Sequence, residues 1–182
     1  MKKLTNRATV EENKNSIIIK IYPPNDQKAL KQVKIWFALY SIAGLAMLIG
    51  APFIVSTREE FAVVFIYMSF WLFFEVKVFS ALVYRTKGYE EVKFENDLMI
   101  YTLYKGKRGL PKSFDLKSMS HWSFEPKVLS GFMGMINQGA WMIAGESISF
   151  SDKDGKFNLG IQMKKGDAEK LISYINKKVL KA

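Results

Sequence analysis

The sequence predicts a membrane protein: a transmembrane hairpin of two helices joined to a small α+β domain, an antiparallel sheet or barrel capped by a C-terminal helix. Three observations carry that expectation. Residues 35–57 hold no charged side chain, and as a helix this stretch reaches roughly 34 Å, enough to cross a ~30 Å hydrocarbon core. A second apolar run, residues 61–84, follows after only Ser56, Thr57, Arg58, Glu59 and Glu60. Beyond Gly88 the pattern changes to short alternating segments, and the chain closes on a stretch with helical periodicity.

Taken in order, residues 1–15 are polar and without periodicity and read as a flexible tail. Residues 16–24 begin with the β-branched run Ser16-Ile17-Ile18-Ile19-Lys20-Ile21-Tyr22 and stop at Pro23-Pro24. They read as one strand, which needs the later sheet as its partner. Residues 25–84 form the hairpin, with helices at about 33–56 and 60–84. Asn25 or Asp26 caps the first, and Thr57 with Glu60 has the spacing of a capping box for the second.

Ala43, Ala46 and Gly50 share one face of the first helix, and small residues allow close helix approach in lipid. The second helix of the hairpin is one partner for that face, and a different protein is the other. The second helix is aromatic on several faces, Trp71 among them, and carries Glu75 and Lys77 in its inner third. Glu75 is read as a helix-packing residue bonded to Tyr40 or Ser41, with a partner contact or proton handling as the alternatives. Lys77 is placed to snorkel to the interface.

Residues 88–180 make the soluble domain. Strands are expected around residues 91–95, 98–104, 110–116, 118–124, 147–150 and 157–163, with turns at Asn96-Asp97, at residues 105–109 and at Asp154-Gly155. Pro111 suggests an edge strand. Ala168, Leu171, Ile172, Ile175 and Val179 line one face of a closing helix. Asp167 and Glu169 stand at its N-terminal end, and Lys177, Lys178 and Lys181 at its C-terminal end.

The net charge of +10 is uneven. Residues 1–34 hold eight Lys/Arg against three Asp/Glu, residues 35–84 two against three, and residues 85–182 seventeen against eleven. Basic flanks at both ends of the hairpin place both termini in the cytoplasm by the positive-inside rule, in a multi-pass protein of the inner (cytoplasmic) membrane. Lys28, Lys31, Lys34, Lys77, Arg85, Lys87 and the turn cations Lys105, Lys107 and Arg108 are the candidates for lipid headgroups. The first apolar run starts too late and runs too long for a signal peptide, so the first helix is expected to act as an uncleaved anchor.

The absence of cysteine excludes disulfides, thiolate catalysis and cysteine-bound zinc. His121 is the only histidine, and Gly131-Phe132-Met133-Gly134 lacks the remainder of any phosphate-binding loop. No catalytic residue, metal or cofactor is assigned, and no nucleic-acid partner. The most informative non-helical stretch is apolar and broken by glycines. In it Val128, Leu129, Phe132, Met133, Met135, Ile136 and Trp141 read either as core or as a surface for a protein partner or the membrane.

A strand before the membrane, a two-helix hairpin, then strands ending in a capping helix resembles the bacterial membrane-anchored PH-like (pleckstrin-homology-like) proteins. The residues that carry the resemblance are Ser16 to Tyr22, the aromatic second helix, Tyr89-Glu90-Glu91-Val92-Lys93 and Ile148-Ser149-Phe150. To these is added the ending that runs from Phe157 through Met163 into Gly166-Asp167-Ala168-Glu169-Lys170-Leu171-Ile172. The resemblance implies a PH-like fold on the cytoplasmic face, in a family largely without assigned activity. The eukaryotic phosphoinositide site is not carried over, because the corresponding loop here is Glu95-Asn96-Asp97. The expected role is a non-catalytic interaction or assembly module, an accessory subunit among other integral membrane proteins. The alternatives are an anionic-lipid sensor and, behind it, a transport or enzyme component using Glu75.

Overall fold

The structure, a computed structural model, describes residues 1–126, 139 and 141–179. Of the expected partner-binding residues, Val128, Leu129, Phe132, Met133, Met135 and Ile136 lie outside the described residues. The described residues form two long helices, two antiparallel sheets and a C-terminal helix.

The first sheet runs β1 (Lys2–Lys3), β2 (Ala8–Asn13), β3 (Ser16–Ile21), β4 (Tyr89–Glu95), β5 (Leu98–Lys105), β6 (Arg108–Asp115), in that spatial order. The second contains β7 (Ser120–Phe124), β8 (Glu146–Asp152) and β9 (Gly155–Ile161). Helices α1 (Gln27–Ile54) and α2 (Arg58–Lys87) form the hairpin, and α3 (Lys165–Lys178) closes the chain.

The flexible tail expected over residues 1–15 is corrected: it contributes β1 and β2. Ala8 and Val10 alternate inward and are 1% and 3% exposed, so a short strand has an apolar face to bury even though Glu11 and Glu12 follow it. Asn13 and Ser16 pair across a tight turn, and Glu12 accepts a hydrogen bond from the Tyr174 hydroxyl of α3 at 2.6 Å.

The turns follow local chemistry. Asn96 and Asp97 both have positive φ (50° and 62°), as a two-residue type I′ hairpin turn requires between Glu95 and Leu98. β8 and β9 are joined through Lys153 and Asp154, with Gly155 (φ 121°) already paired to Asp152. The hairpin signal was therefore one residue out of register. Pro111 sits in β6, which is an edge of the first sheet.

The core lies between the two sheets under α3. Phe150 packs against Trp122, Phe114 and Phe157 with ring centroids 4.8–5.3 Å apart, and Ile148, Leu159, Leu171 and Ile175 are fully buried beside it. Burying side chains of this size contributes about 1.5–3 kcal/mol each.

The long helices differ in kind. α1 has 28 residues and α2 has 30, so both are long and apolar enough to cross a membrane. Their large side chains point outward: Trp36, Ile42, Phe53, Phe65 and Phe70 are all more than half exposed. Both expected N-caps are in place. Asp26 accepts from the Ala29 N–H, and Thr57 and Glu60 form a reciprocal capping box, worth roughly 1 kcal/mol.

Candidate functional site: the root of the helical hairpin

β3 and β4 are neighbours in the sheet, yet α1 and α2 lie between them in sequence. The helical hairpin is thus a long insertion in a β-hairpin. Its two ends are pinned where Ile21 pairs with Glu90. Whatever orients this root orients the helices against the domain.

The root is a buried polar network. Glu90 alternates with Val92 and Phe94 on the inward face of β4 and is 0% exposed. Its Oε1 accepts from the Ile161 N–H at 2.8 Å and weakly from the Tyr84 hydroxyl at 3.4 Å. Its Oε2 accepts from the Gly160 N–H at 2.8 Å and the Tyr101 hydroxyl at 3.0 Å. Burial pushes the Glu90 carboxyl up from the usual carboxylate range, while the two backbone N–H groups, Tyr101 and the Arg7 charge pull it back. Tyr101 in turn is pushed up by burial and by Glu90.

Arg7 grips the same segment from its carbonyl side. Its guanidinium donates to the carbonyls of Ile161 (2.8 Å), Gln162 (2.6 Å) and Tyr22 (2.8 Å), and burial lowers its pKa. The end of β9 is therefore held by a carboxylate on its N–H groups and a guanidinium on its carbonyls. Arg85 of α2 donates to Gln162 Oε1 at 2.8 Å and to the Gly139 carbonyl at 3.4 Å. Arg85 was expected at lipid headgroups, and that placement is corrected: the guanidinium turns into the domain, where backbone and amide acceptors meet it. Gly88, the C-cap of α2, sits so close to β5 that a Cβ there would lie 2.6 Å from the Tyr104 carbonyl oxygen.

Farther along the helices, Trp71 and Glu75 make the cross-hairpin contacts. Trp71 Nε1 donates to the Tyr40 carbonyl at 3.1 Å, and the Ser41 hydroxyl meets Glu75 Oε1 at 2.5 Å. Glu75 Oε2 is buried with no hydrogen-bond partner among the described residues. The expectation that the second helix packs on Ala43, Ala46 and Gly50 is corrected. Ala43 and Ala46 are exposed, and nothing lies within 4 Å of a Cβ placed on Gly50. The close approach is at Gly44, where a Cβ would fall 1.9 Å from the Trp71 ring. One residue of rotation, about 100°, separates the two faces.

The remaining basic residues are spread around the root. Lys28, Lys31, Lys34, Lys77 and Lys87 are exposed, as are Lys105, Lys107 and Arg108 at the β5–β6 turn. That turn stands beside α2, since a Cβ on Gly106 would lie 3.5 Å from Val83 Cγ1. The 86% exposed Leu110 follows it. Tyr89 stacks on Tyr104, and Tyr22 lies tilted against Tyr89.

On the helix pair, Trp36, Phe37 and Tyr40 of α1 and Phe74 and Val78 of α2 line an apolar groove of about 650 Å³, with Trp141 and Met142 as a third wall. Trp141 meets Trp36 edge to face, with centroids 6.0 Å apart. His121 is exposed at a bulge in β7. Among the described residues, no three His, Asp or Glu side chains gather as a metal site would require.

Sequence reasoning missed the Arg7–Glu90 network. A signal for Glu90 was present, because a charged residue in phase with Val92 and Phe94 occupies an apolar face and must find partners there. Compared with protein-family models, curated proteins and solved structures, the chain matches none.

Proposed function

We propose that this chain is an inner-membrane protein whose helical hairpin spans the bilayer with both termini cytoplasmic. Its folded domain serves there as a non-catalytic interaction module, an accessory part of a larger membrane assembly. The observation that carries the reading is the outward-facing apolar surface of both helices, which, apart from Trp36 against Trp141, is left uncovered by the described residues of the domain and would be unstable in water. The pinned root supports it further, because a domain tied to the helices at Ile21 and Glu90 holds one posture against the bilayer. The strand–hairpin–strands–helix order supports a PH-like domain. Ala43 and Ala46, facing away from α2, leave a small-residue surface on which another helix can seat.

Because the chain has no cysteine, single-cysteine variants report topology directly. Ser56→Cys should react with a membrane-impermeant maleimide from outside intact cells, and Lys153→Cys only after lysis. Equal reactivity of both would sink the membrane reading. Purification in mild detergent should bring down a stoichiometric set of membrane proteins, and a lone chain carrying only lipid would sink the assembly reading.

A second reading, an anionic-lipid sensor, is favoured by the basic β5–β6 turn beside Val83 with Leu110 exposed next to it. Lys105→Glu with Lys107→Glu should then abolish a preference for anionic over neutral nanodiscs, a preference that salt also weakens.

A further inference from the structure

We infer that the β5–β6 turn and the face of α2 beneath it bind one anionic phospholipid of the cytoplasmic leaflet. Its phosphate lies at Lys105, Lys107 and Arg108, and an acyl chain runs along Phe79, Val76 and Leu72. The inference rests on the membrane reading above and deepens the lipid-sensing one, because it says where and how the lipid is held.

Position comes first. Tyr89, the first residue of β4, pairs with Tyr104, so the turn that follows Tyr104 runs on past the start of β4. It runs back along α2. Gly106 approaches Val83, five residues before Gly88 and therefore about 7.5 Å nearer the bilayer. Counted from Phe61, the first apolar residue after the capping box, about 20 residues of helix cover the ~30 Å hydrocarbon core and end at Ser80. Val83 then stands roughly 4.5 Å beyond that core, inside a headgroup layer about 5–8 Å deep. Helix length alone puts the turn at phosphate depth.

Charge agrees with depth. Residues 105–108 are Lys, Gly, Lys and Arg, and the three cations are exposed. Among the described residues, the ion pairs engage other lysines and leave these three cations without a carboxylate.

The helix face under the turn supplies the apolar half of the site. Phe79, Val76 and Leu72 precede Val83 by four, seven and eleven residues, the spacing of a single helical stripe. Each is more than half exposed. From Val83 to Leu72 the stripe covers roughly 16 Å of helix axis, about the depth of one leaflet. Cations at one end and a leaflet's depth of apolar surface below them suit an amphiphile with an anionic head. An acidic peptide would meet the cations and leave the stripe empty.

The test is photolabelling of the full chain in phosphatidylcholine bilayers doped with a phosphatidylglycerol that carries a diazirine on one acyl chain. Label should appear on Phe79 and Val76, and also on Leu39 near the inner end of α1. Lys105→Gln with Lys107→Gln, both at exposed positions of a turn, should lower the Phe79–Val76 label about tenfold and leave the Leu39 label unchanged. A phosphatidylcholine carrying the same diazirine should label the two chains alike.

A Phe79–Val76 label that ignores the variant overturns the inference and leaves the membrane reading standing. Equal losses at Leu39 and Phe79, or an equal loss with the phosphatidylcholine probe, mean a diffuse effect and not a site, which also overturns it. If the variant loses a preference for anionic over neutral nanodiscs yet keeps the Phe79–Val76 label, the lipid-sensing reading stands and this site falls. No label on these residues or on Phe65 and Phe70 overturns the membrane reading as well.

Discussion

Glu75 and Glu90 are both withdrawn from water, and their surroundings could hardly differ more. Glu90, on a strand of the domain, has two backbone N–H groups and two tyrosine hydroxyls around its oxygens, with Arg7 nearby. Glu75, between two helices, has one hydroxyl on one oxygen and no partner on the other among the described residues. The contrast follows from the backbone. A strand end with bent geometry, such as β9 at Gly160 and Gln162 (φ 76° and 51°), exposes N–H groups that a side chain can collect. A helix spends its N–H groups internally and leaves a neighbouring carboxylate only side chains to bond. Glu90 therefore fastens the structure, whereas Glu75 depends on what surrounds the helix pair.

The largest expected effect breaks the better-satisfied member. Glu90→Gln turns an amide N–H toward a backbone N–H of Gly160 or Ile161, and the full chain in mild detergent should lose about 2–3 kcal/mol in urea unfolding. A loss under about 1 kcal/mol would mean that the network is not what holds the root. The pH profile sharpens the point. Because burial raises the Glu90 pKa, the folded state retains a proton that the unfolded chain has already released. Stability should then decline as pH rises from the ordinary carboxylate range through the raised value, and Glu90→Gln should flatten that stretch.

Next in size is Gly44→Leu, which drives a side chain into Trp71 and should cost about 1–3 kcal/mol in helix-pair stability. Gly50→Leu, with open space around it, should be near neutral. Urea unfolding of the full chain in mild detergent reads both, and equal losses in the two variants would put the helix contact elsewhere.

Ser41→Ala removes the sole hydrogen bond described for Glu75 and should cost only about 0.6–1.7 kcal/mol. If it matched Glu90→Gln, the contrast between the two carboxylates would be lost.

The smallest effect concerns the N-terminal strand. The Tyr174 hydroxyl, followed by Lys178, holds Glu12 below the ordinary carboxylate range. That contribution is present at neutral pH and is lost as pH falls through the lowered value. Tyr174→Phe should remove most of it, with acid unfolding of the full chain as the readout and an unchanged acid limb as the contrary result.

Much was legible in the residues themselves. The two apolar runs, a cap at Asn25 or Asp26, the Thr57–Glu60 box, the Asn96-Asp97 turn and the inward phase of α3 are decided by side chains within a few positions of one another, so sequence alone determines them. The rest required partners far along the chain. β2 looked like a tail because its apolar face is only Ala8 and Val10, and what stabilises it is β3 and Tyr174. Ala43, Ala46 and Gly50 spelled a packing face, but the rotation of α1 about its axis is set by where Trp71 finds room, at Gly44. Glu90 could be placed on an inward face by its period, but not satisfied, because its donors lie on β5, α2 and the end of β9. Periodicity is a local property and survives in the sequence. Satisfaction of a buried charge is a property of several distant segments at once, and only their tertiary arrangement decides it.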